Sequence, residues 1–350
     1  MLTRRLVLAT PGVVLLSGLV ACGSDEEAAS SSSSSSAPPS EAVASSGSFP
    51  VSVEHMYGST TIEAAPTRVV SVGLTEQDIL LELGVVPVAV TEWYGEQPSA
   101  TWPWAQELLG DAEPEVLSAD DGIDFEKVAA LAPDLIIGTN AGMTQKDYDL
   151  LSGIAPTVTS VTGSTAYFSS WQDQTLQVAR ALGREADGQA LIDGVDDAYA
   201  AAAAAHPDWA GLTATFAQGG PSDGQLYVYP AGLGTDFLTD LGFTMTPGLE
   251  KYAPDSGSQA LISGENVGLI DADVIVWATE DQDMFDQLQA FSTVPNLSAV
   301  SGGHSVYTDE ILAGALYFLT PLSLKYVLAE LEPKLERAVA GDIPTEFPTT

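Results

Sequence analysis

The 350-residue sequence has one cysteine, three histidines, and only 11 lysines and arginines against 48 aspartates and glutamates. Without a second cysteine no intrachain disulfide can form, so any lobes must be held by packing. His55, His206 and His304 are scattered and do not make the clustered histidine–carboxylate set that binds zinc or manganese. A formal charge of −37 leaves no basic patch, which argues against nucleic acid and against electrostatic binding to anionic lipid. The acidity itself reads as solubility at an exposed or salty surface. Catalytic signatures are missing too: there is no G-x-S-x-G elbow, no H-E-x-x-H and no glycine-rich phosphate loop of the expected form. Acidic pairs such as Asp120-Asp121 and Asp271/Asp273 read as solvated faces or helix caps. The chain is therefore not expected to be an enzyme, and no cofactor is expected.

What is present begins with an export signal. Residues 1–21 combine Arg4-Arg5 with an apolar run too short for a comfortable membrane span and a small-residue end. The sole cysteine follows in Leu19-Val20-Ala21-Cys22, which resembles the lipobox of bacterial lipoproteins. That implies acylation of Cys22 and anchorage at the outer face of the cytoplasmic membrane by lipid alone. Thr3-Arg4-Arg5-Leu6-Val7-Leu8 also resembles a twin-arginine signal, which leaves the export route open. Residues 22–48 are rich in Ser, Ala and acid, with almost nothing to bury, and read as a flexible tether.

The remaining chain alternates short apolar strands with helices, the pattern of mainly parallel sheets covered on both faces. Arg68–Gly73, Pro87–Thr91, Leu135–Thr139 and Pro156–Val158 read as strands, and Glu76–Leu83 as a helix stopping at Gly84. The grammar repeats. Asp124-Phe125-Glu126 and Asp134 recur as Ser263-Gly264-Glu265 and Asp273: each Glu precedes a strand-opening Asp by eight residues and follows a capping-type residue by two. Asp78–Gly84 is echoed by Asp236–Gly242. Two α/β lobes follow, 49–183 and 207–350. Between them, 184–206 is alanine-rich with Leu191, Val195, Ala198, Tyr199 and Ala202 on one helical face. The expected fold is two doubly wound α/β lobes joined by a single long helix.

Phe49–Val70, Leu131-Ala132-Pro133-Asp134-Leu135-Ile136-Ile137 and Thr320-Pro321-Leu322-Ser323-Leu324, in this order, resemble the opening hairpin, the strand entry and the C-terminal segment of the iron-siderophore and cobalamin class of ABC-importer substrate-binding proteins. The resemblance implies a monomeric capture protein for a small-molecule iron chelate, with ABC permease subunits as partners. It also implies that Glu126 and Glu265, one per lobe, meet arginines on the two-fold importer. Helix-dipole electrostatics would account for either glutamate alone, but not for matching places in both lobes.

In such sheets ligands sit beyond the carboxyl ends of the strands. Trp93, Tyr94, Trp102 and Trp104 crowd into twelve residues there. Broad, rigid rings suit a bulky amphipathic chelate, although two of these rings could equally be core. The residues expected at the ligand are Trp93 and Tyr94, then Trp104, Asn140, Tyr229, Trp277 and Tyr317. Lys146 and Lys251 are the nearest cations, so a neutral or cationic ferric hydroxamate suits the site better than a multiply anionic tris-catecholate. Cobalamin fits the same outline, and haem remains an alternative with Tyr94 as its axial ligand.

Overall fold

The structure, a computed structural model, describes residues 47–348 apart from 121, 165, 166, 168, 233, 255–257 and 292. The expected signal segment 1–21, Cys22 and nearly all of the tether lie outside the described residues. An antiparallel hairpin, β1 (Val51–His55) and β2 (Gly58–Ile62), opens the folded part. It is followed by β3 (Val69–Ser71), α1 (Glu76–Glu82), β4 (Ala89–Glu92), α2 (Gln106–Leu109), β5 (Glu115–Ser118), α3 (Phe125–Ala130), β6 (Leu135–Gly138), α4 (Gln145–Ser152) and β7 (Thr157–Thr159). These strands form a parallel sheet in the order β5-β4-β3-β6-β7. The central strands β3 and β6 are buried at every position because both faces are covered, whereas the edge strand β5 is largely exposed. Val69, Leu135 and Ile137 share a core with Ile79, Leu80 and Val178, while Val70 and Ile136 share one with Val128 and Leu151.

After α5 (Trp171–Ala181) comes α6 (Glu185–Ala205), the expected connector. Its buried face is Gly188, Ile192, Val195, Tyr199 and Ala202, with Leu191 and Ala198 at the margin. The helix packs between α5 and the C-terminal helix, and the Tyr199 hydroxyl donates to Leu324 O at 3.0 Å.

The second sheet contains β8 (Thr213–Gln218), β9 (Gln225–Tyr229), β10 (Thr244–Met245), β11 (Ala260–Ser263), β12 (Val274–Ala278) and β13 (Ser305–Tyr307). Its order, β11-β9-β8-β12-β13, repeats that of the first sheet with one reversal, and α7 (Asp236–Thr239) precedes β10. Strand β9 runs antiparallel to both neighbours. The cause is local. Gly219, Gly220, Pro221 and Gly224 (φ 73°) make so short a connection that the chain can only return antiparallel. The stub β10 pairs parallel with the first half of β8, the place β4 holds beside β3. Helices α8 (Gln282–Ala290) and α9 (Ser298–Ser301) cover one face. Helices α10 (Glu310–Phe318) and α11 (Pro321–Val339) cover the other together with α6. Among the described residues, no helix is long and apolar enough to cross a membrane.

The repeat seen in the sequence has one physical device at its centre. Asp134 Oδ2 accepts from Thr67 N (2.8 Å) and Thr67 Oγ1 (2.7 Å), and its Oδ1 accepts from Arg68 N (2.8 Å). Asp273 Oδ2 accepts from Thr213 N (2.8 Å) and Thr213 Oγ1 (2.7 Å). In both lobes the aspartate that opens one central strand thereby fixes the start of the neighbouring central strand. Partial burial of Asp134 would raise its pKa, but the donors from Thr67 and Arg68 outweigh this and the carboxyl ends below its usual range. At Asp273 the Thr213 donors dominate, and its carboxyl is lowered as well.

A depressed carboxyl contributes stability above the unfolded value of about 3.9 and loses it as pH falls through the lowered folded value. Asp134→Ala and Asp273→Ala should each lower the unfolding free energy in urea by about 1–2 kcal/mol at pH 7. The two effects should add, because the sites lie in different sheets. The difference from wild type should shrink as pH falls through the lowered folded carboxyl values; a difference that is constant with pH would show that the carboxylate charge is not involved.

Candidate functional site

The loops at the carboxyl ends of β3, β4, β6, β8 and β12 all emerge on one side of their sheets, and the loops after β3 and β6 are pinned together first. Glu76 is wholly buried and accepts from Asn140 N (2.6 Å), Thr139 Oγ1 (3.1 Å) and Thr75 N (3.2 Å). Burial raises its pKa, opposed by these bonds. Asn140 Nδ2 also donates to Thr75 Oγ1 at 3.2 Å. Asn140, half-buried, is thus committed to holding the loop, a role its position in the sequence did not reveal. Beside it a depression is lined by Val72, Thr91, Leu117, Ala119, Ile123 and the half-exposed Tyr167. The phenol end of Tyr167 lies against Gly142, where φ is 59° and a Cβ would fall 1.9 Å from the Tyr167 hydroxyl. Sequence reading missed this depression, because its walls come from four separate strand ends.

The aromatic residues assemble into one band. Trp93 and Tyr94 meet edge to face at 5.0 Å, Tyr94 lies 6.1 Å from Tyr317, and Tyr317 lies 6.5 Å from Tyr229. Trp93 also packs on Phe318 at 5.6 Å, and its side chain is 38% exposed. Tyr94, Tyr229 and Tyr317 are half-buried. The Tyr94 hydroxyl is buried and has no hydrogen-bond partner among the described residues. Residues expected from both lobes therefore share this band.

Three further tryptophans take structural places. Trp102, 1% exposed, is the core member of the tryptophan cluster. Its ring stacks on Trp104 at 5.1 Å and fills the space left by two glycines: a Cβ on Gly95 or Gly314 would fall 2.5 or 2.6 Å from it. Trp104 is half-buried and its indole N–H donates to Asp78 Oδ2 at 2.8 Å, so it ties elements together more than it faces outward. Trp277 does not reach the cleft at all. It is the penultimate residue of β12, fully buried, on the face that packs against Phe285 and Leu288. Strand alternation turns Val276 and Ala278 toward α6, α10 and α11, and Trp277 away from them.

Asp78, read from sequence only as part of a repeated helix, is the buried hub between the lobes. It is fully buried in α1, and its Oδ2 accepts from Trp104 Nε1 and from Thr320 Oγ1 (2.7 Å). Thr320 is the N-cap of α11, in a capping box with Ser323. One turn away, Lys325 of α11 pairs with Glu82 of α1 at 2.5 Å. Burial pushes the Asp78 carboxyl up to about 7, the two donors resisting it and the Glu82 charge adding to it.

The exposed glutamates stand on the same side as the strand ends. Glu126 is in the first turn of α3, whose N-cap Asp124 accepts from Lys127 N at 3.0 Å. Glu265 is in the first turn of a 3-10 helix, Gly264–Ile270, where Ser263 makes no side-chain cap bond. The two helices follow β5 and β11, which hold matching places in their sheets. Of the histidines, His55 Nε2 meets Thr60 Oγ1 (2.9 Å), His206 Nε2 meets Glu332 (3.0 Å) and His304 Nδ1 donates to Ala338 O (2.6 Å). Among the described residues no group of three or more His, Cys, Asp or Glu side chains is arranged to hold a metal ion.

Because Asp78 carries a raised pKa, its contribution to stability is full below the unfolded carboxylate value and lost as pH rises through about 7. Asp78→Asn should therefore flatten the decline in unfolding free energy between pH 4.5 and 8, measured in urea. A wild-type slope retained in the variant would assign that decline to other groups.

A family model described as periplasmic binding protein matches residues 69–312. The Bacillus subtilis protein named probable siderophore-binding lipoprotein YfiY is 28% identical over 280 residues, covering 76% of this chain and 82% of that one. The crystal structure of a periplasmic solute binding protein from Mycobacterium smegmatis superposes with a TM-score of 0.77 at 42% identity, over 83% of this chain and 98% of that one. PiaA of Streptococcus pneumoniae, solved in complex with ferrichrome, gives a TM-score of 0.70 at 25% identity, over 83% and 99%.

Proposed function

We propose, since the chain belongs to the periplasmic binding protein family, that it is the extracytoplasmic receptor of an ABC importer for ferric siderophores, of the hydroxamate type, and that it performs no catalysis. The observation that carries this reading is the half-buried aromatic band of Trp93, Tyr94, Tyr229 and Tyr317, drawn from both lobes. Such rings suit a bulky, partly apolar chelate. The resemblance to a siderophore-binding lipoprotein and to a ferrichrome complex points the same way. Of the lysines and arginines at the strand-end loops, Lys146 and Lys251 are exposed, which disfavours a ligand with several negative charges to compensate. The receptor would be held by lipid on Cys22 and act as a monomer. It would deliver its cargo through Glu126 and Glu265, whose matched, exposed positions fit a two-fold permease.

Titrating intrinsic tryptophan fluorescence with a ferric trihydroxamate, a ferric tris-catecholate, cobalamin and haem tests the ligand class. The trihydroxamate should bind at least about tenfold tighter than the others. Trp93→Ala should weaken that binding while costing no more than about 1–2 kcal/mol of stability. Trp102→Ala, a core deletion, should cost about 3–5 kcal/mol. Preferred binding of the tris-catecholate would sink the hydroxamate assignment, and haem or cobalamin preference would replace the ligand altogether.

Docking is tested separately. Glu126→Arg combined with Glu265→Arg should keep ligand affinity but abolish uptake in cells where this is the sole receptor. Normal uptake by the double variant would remove these residues from the interface.

A further inference from the structure

Asp78 stands where the two lobes meet, and the residues bonded to it lead to the aromatic band. Its Oδ2 takes two donors from different elements. Trp104 Nε1, from the turn before α2, donates at 2.8 Å, and Thr320 Oγ1, at the cap of α11, donates at 2.7 Å. Each donor reaches the ligand side in a few steps. The Trp104 ring stacks on Trp102 at 5.1 Å, and Trp102 lies 5.2 Å from Tyr94. Thr320 closes the corner between α10 and α11, where Leu319 is held in the left-handed region at φ 49°. Tyr317 and Phe318, just before that corner, lie 6.1 Å from Tyr94 and 5.6 Å from Trp93. One carboxylate thus fixes both flanks of the band.

The same carboxylate is built to exchange a proton. Its Oδ1 is buried and has no hydrogen-bond partner among the described residues, so the side chain is bonded through one oxygen only. Burial raises its pKa to about 7, with the two donors opposing the rise. The charged groups around it supply no cation. On α1, Glu82 takes Lys325 of α11 at 2.5 Å, and Glu76 is held by the loop after β6. From α5, which packs along α1, Arg180 pairs with Glu185, and Arg184 at the start of α6 pairs with Asp187. Glu107 of α2 is exposed, and Tyr326 of α11 lies against Trp104. Ionised, Asp78 accepts two charge-assisted bonds. Protonated, it offers the same donors a neutral oxygen, and such bonds are roughly half as strong.

We propose that Asp78 is a positioning residue for the ligand: its negative charge holds Trp104 and the α11 cap tight behind the aromatic band, and a proton on this one carboxyl loosens both and weakens binding. Fold and site then respond to pH in opposite senses. Protonation stabilises the fold as a whole, because it removes a buried charge. Ligand affinity is highest with that charge in place. By linkage, ligand capture near neutral pH expels the proton. This rests on the siderophore-receptor reading above and adds proton control to its site.

Ferrichrome, a neutral ferric trihydroxamate with no group of its own titrating between pH 6 and 8, is the probe. The full chain should bind it about three- to tenfold tighter at pH 8 than at pH 6, with a midpoint at about 7. Calorimetry at pH 7 in buffers of different ionisation enthalpy should show a proton released on binding. Asp78→Asn, which cannot ionise, should bind no tighter at pH 8 than the wild type does at pH 6, and its profile should be flat. Trp104→Phe keeps a ring without the N–H and should retain only part of the pH effect. Equal wild-type affinity at the two pH values, with no proton released, overturns the proposal and leaves the receptor reading standing. A full profile retained in Asp78→Asn overturns the assignment to this carboxyl; should that variant fail to fold, an undiminished profile in Trp104→Phe does the same. Ferrichrome bound at neither pH overturns the hydroxamate reading, and this proposal with it.

Discussion

A single buried carboxylate sets the relation between the two lobes. Asp78 has lost all contact with water, which for an isolated charge costs several kcal/mol. Only donors supplied by other elements make its burial tolerable, and they come from Trp104 and from the cap of α11. The helix start adds its own partial positive charge. One oxygen accepts both bonds and the other none, so the residue is under-satisfied, and burial, only partly offset by the two donors, raises its pKa. The arrangement is directional: only one placement of α11 against α1 satisfies it. Lys325–Glu82 lies on the same seam but is less decisive, since Lys325 is 42% exposed and well screened.

The position of the ligand-facing rings follows from this seam. Trp104 is anchored at Asp78, Trp102 stacks on Trp104, and Phe318 packs against both. Trp93 and Tyr94 then rest on rings that cannot shift independently of the lobes. A band of this kind is pre-organised, so little ordering entropy remains to be lost when a ligand arrives. The long helix α6 alone would not achieve this, because it contacts the lobes along its sides and touches none of these rings in the aromatic contacts above. The sequence suggested one stiff connector; the structure adds α11 as a second tie, with its contacts to α6, α1 and its own sheet.

The architecture was legible because it depends on patterns with a short reach. Continuous apolar runs such as Leu135-Ile136-Ile137 signal a strand covered on both faces, and the spacing of Val195, Tyr199 and Ala202 signals a helix face. The repeated Glu-to-Asp spacing led to matching places in two sheets of the same strand order. What was not legible depends on which way a side chain turns. Trp277 and Tyr229 both fall in the last two residues of a strand and look alike in sequence, yet the structure sends one into the core and leaves the other beside Tyr317. Asn140 and Asp78 are polar residues at expected surfaces whose partners lie 64 and 242 residues away. The reversed strand β9 was signalled only by a glycine-rich turn, which also suits an ordinary loop.

Trp102 carries an implication for how this receptor can diversify. Its indole is sandwiched where Gly95, after β4, and Gly314, on α10, come within reach of the same ring without side chains of their own. Both glycines thus open room for the same edge of one ring, whose face is stacked on Trp104. It therefore acts as a spacer between α10 and the loop after β4, and a methyl group at residue 314 would be a shim. A lineage could regrade its receptors for larger or smaller cargo at this spacer, leaving every residue that touches the cargo as it was.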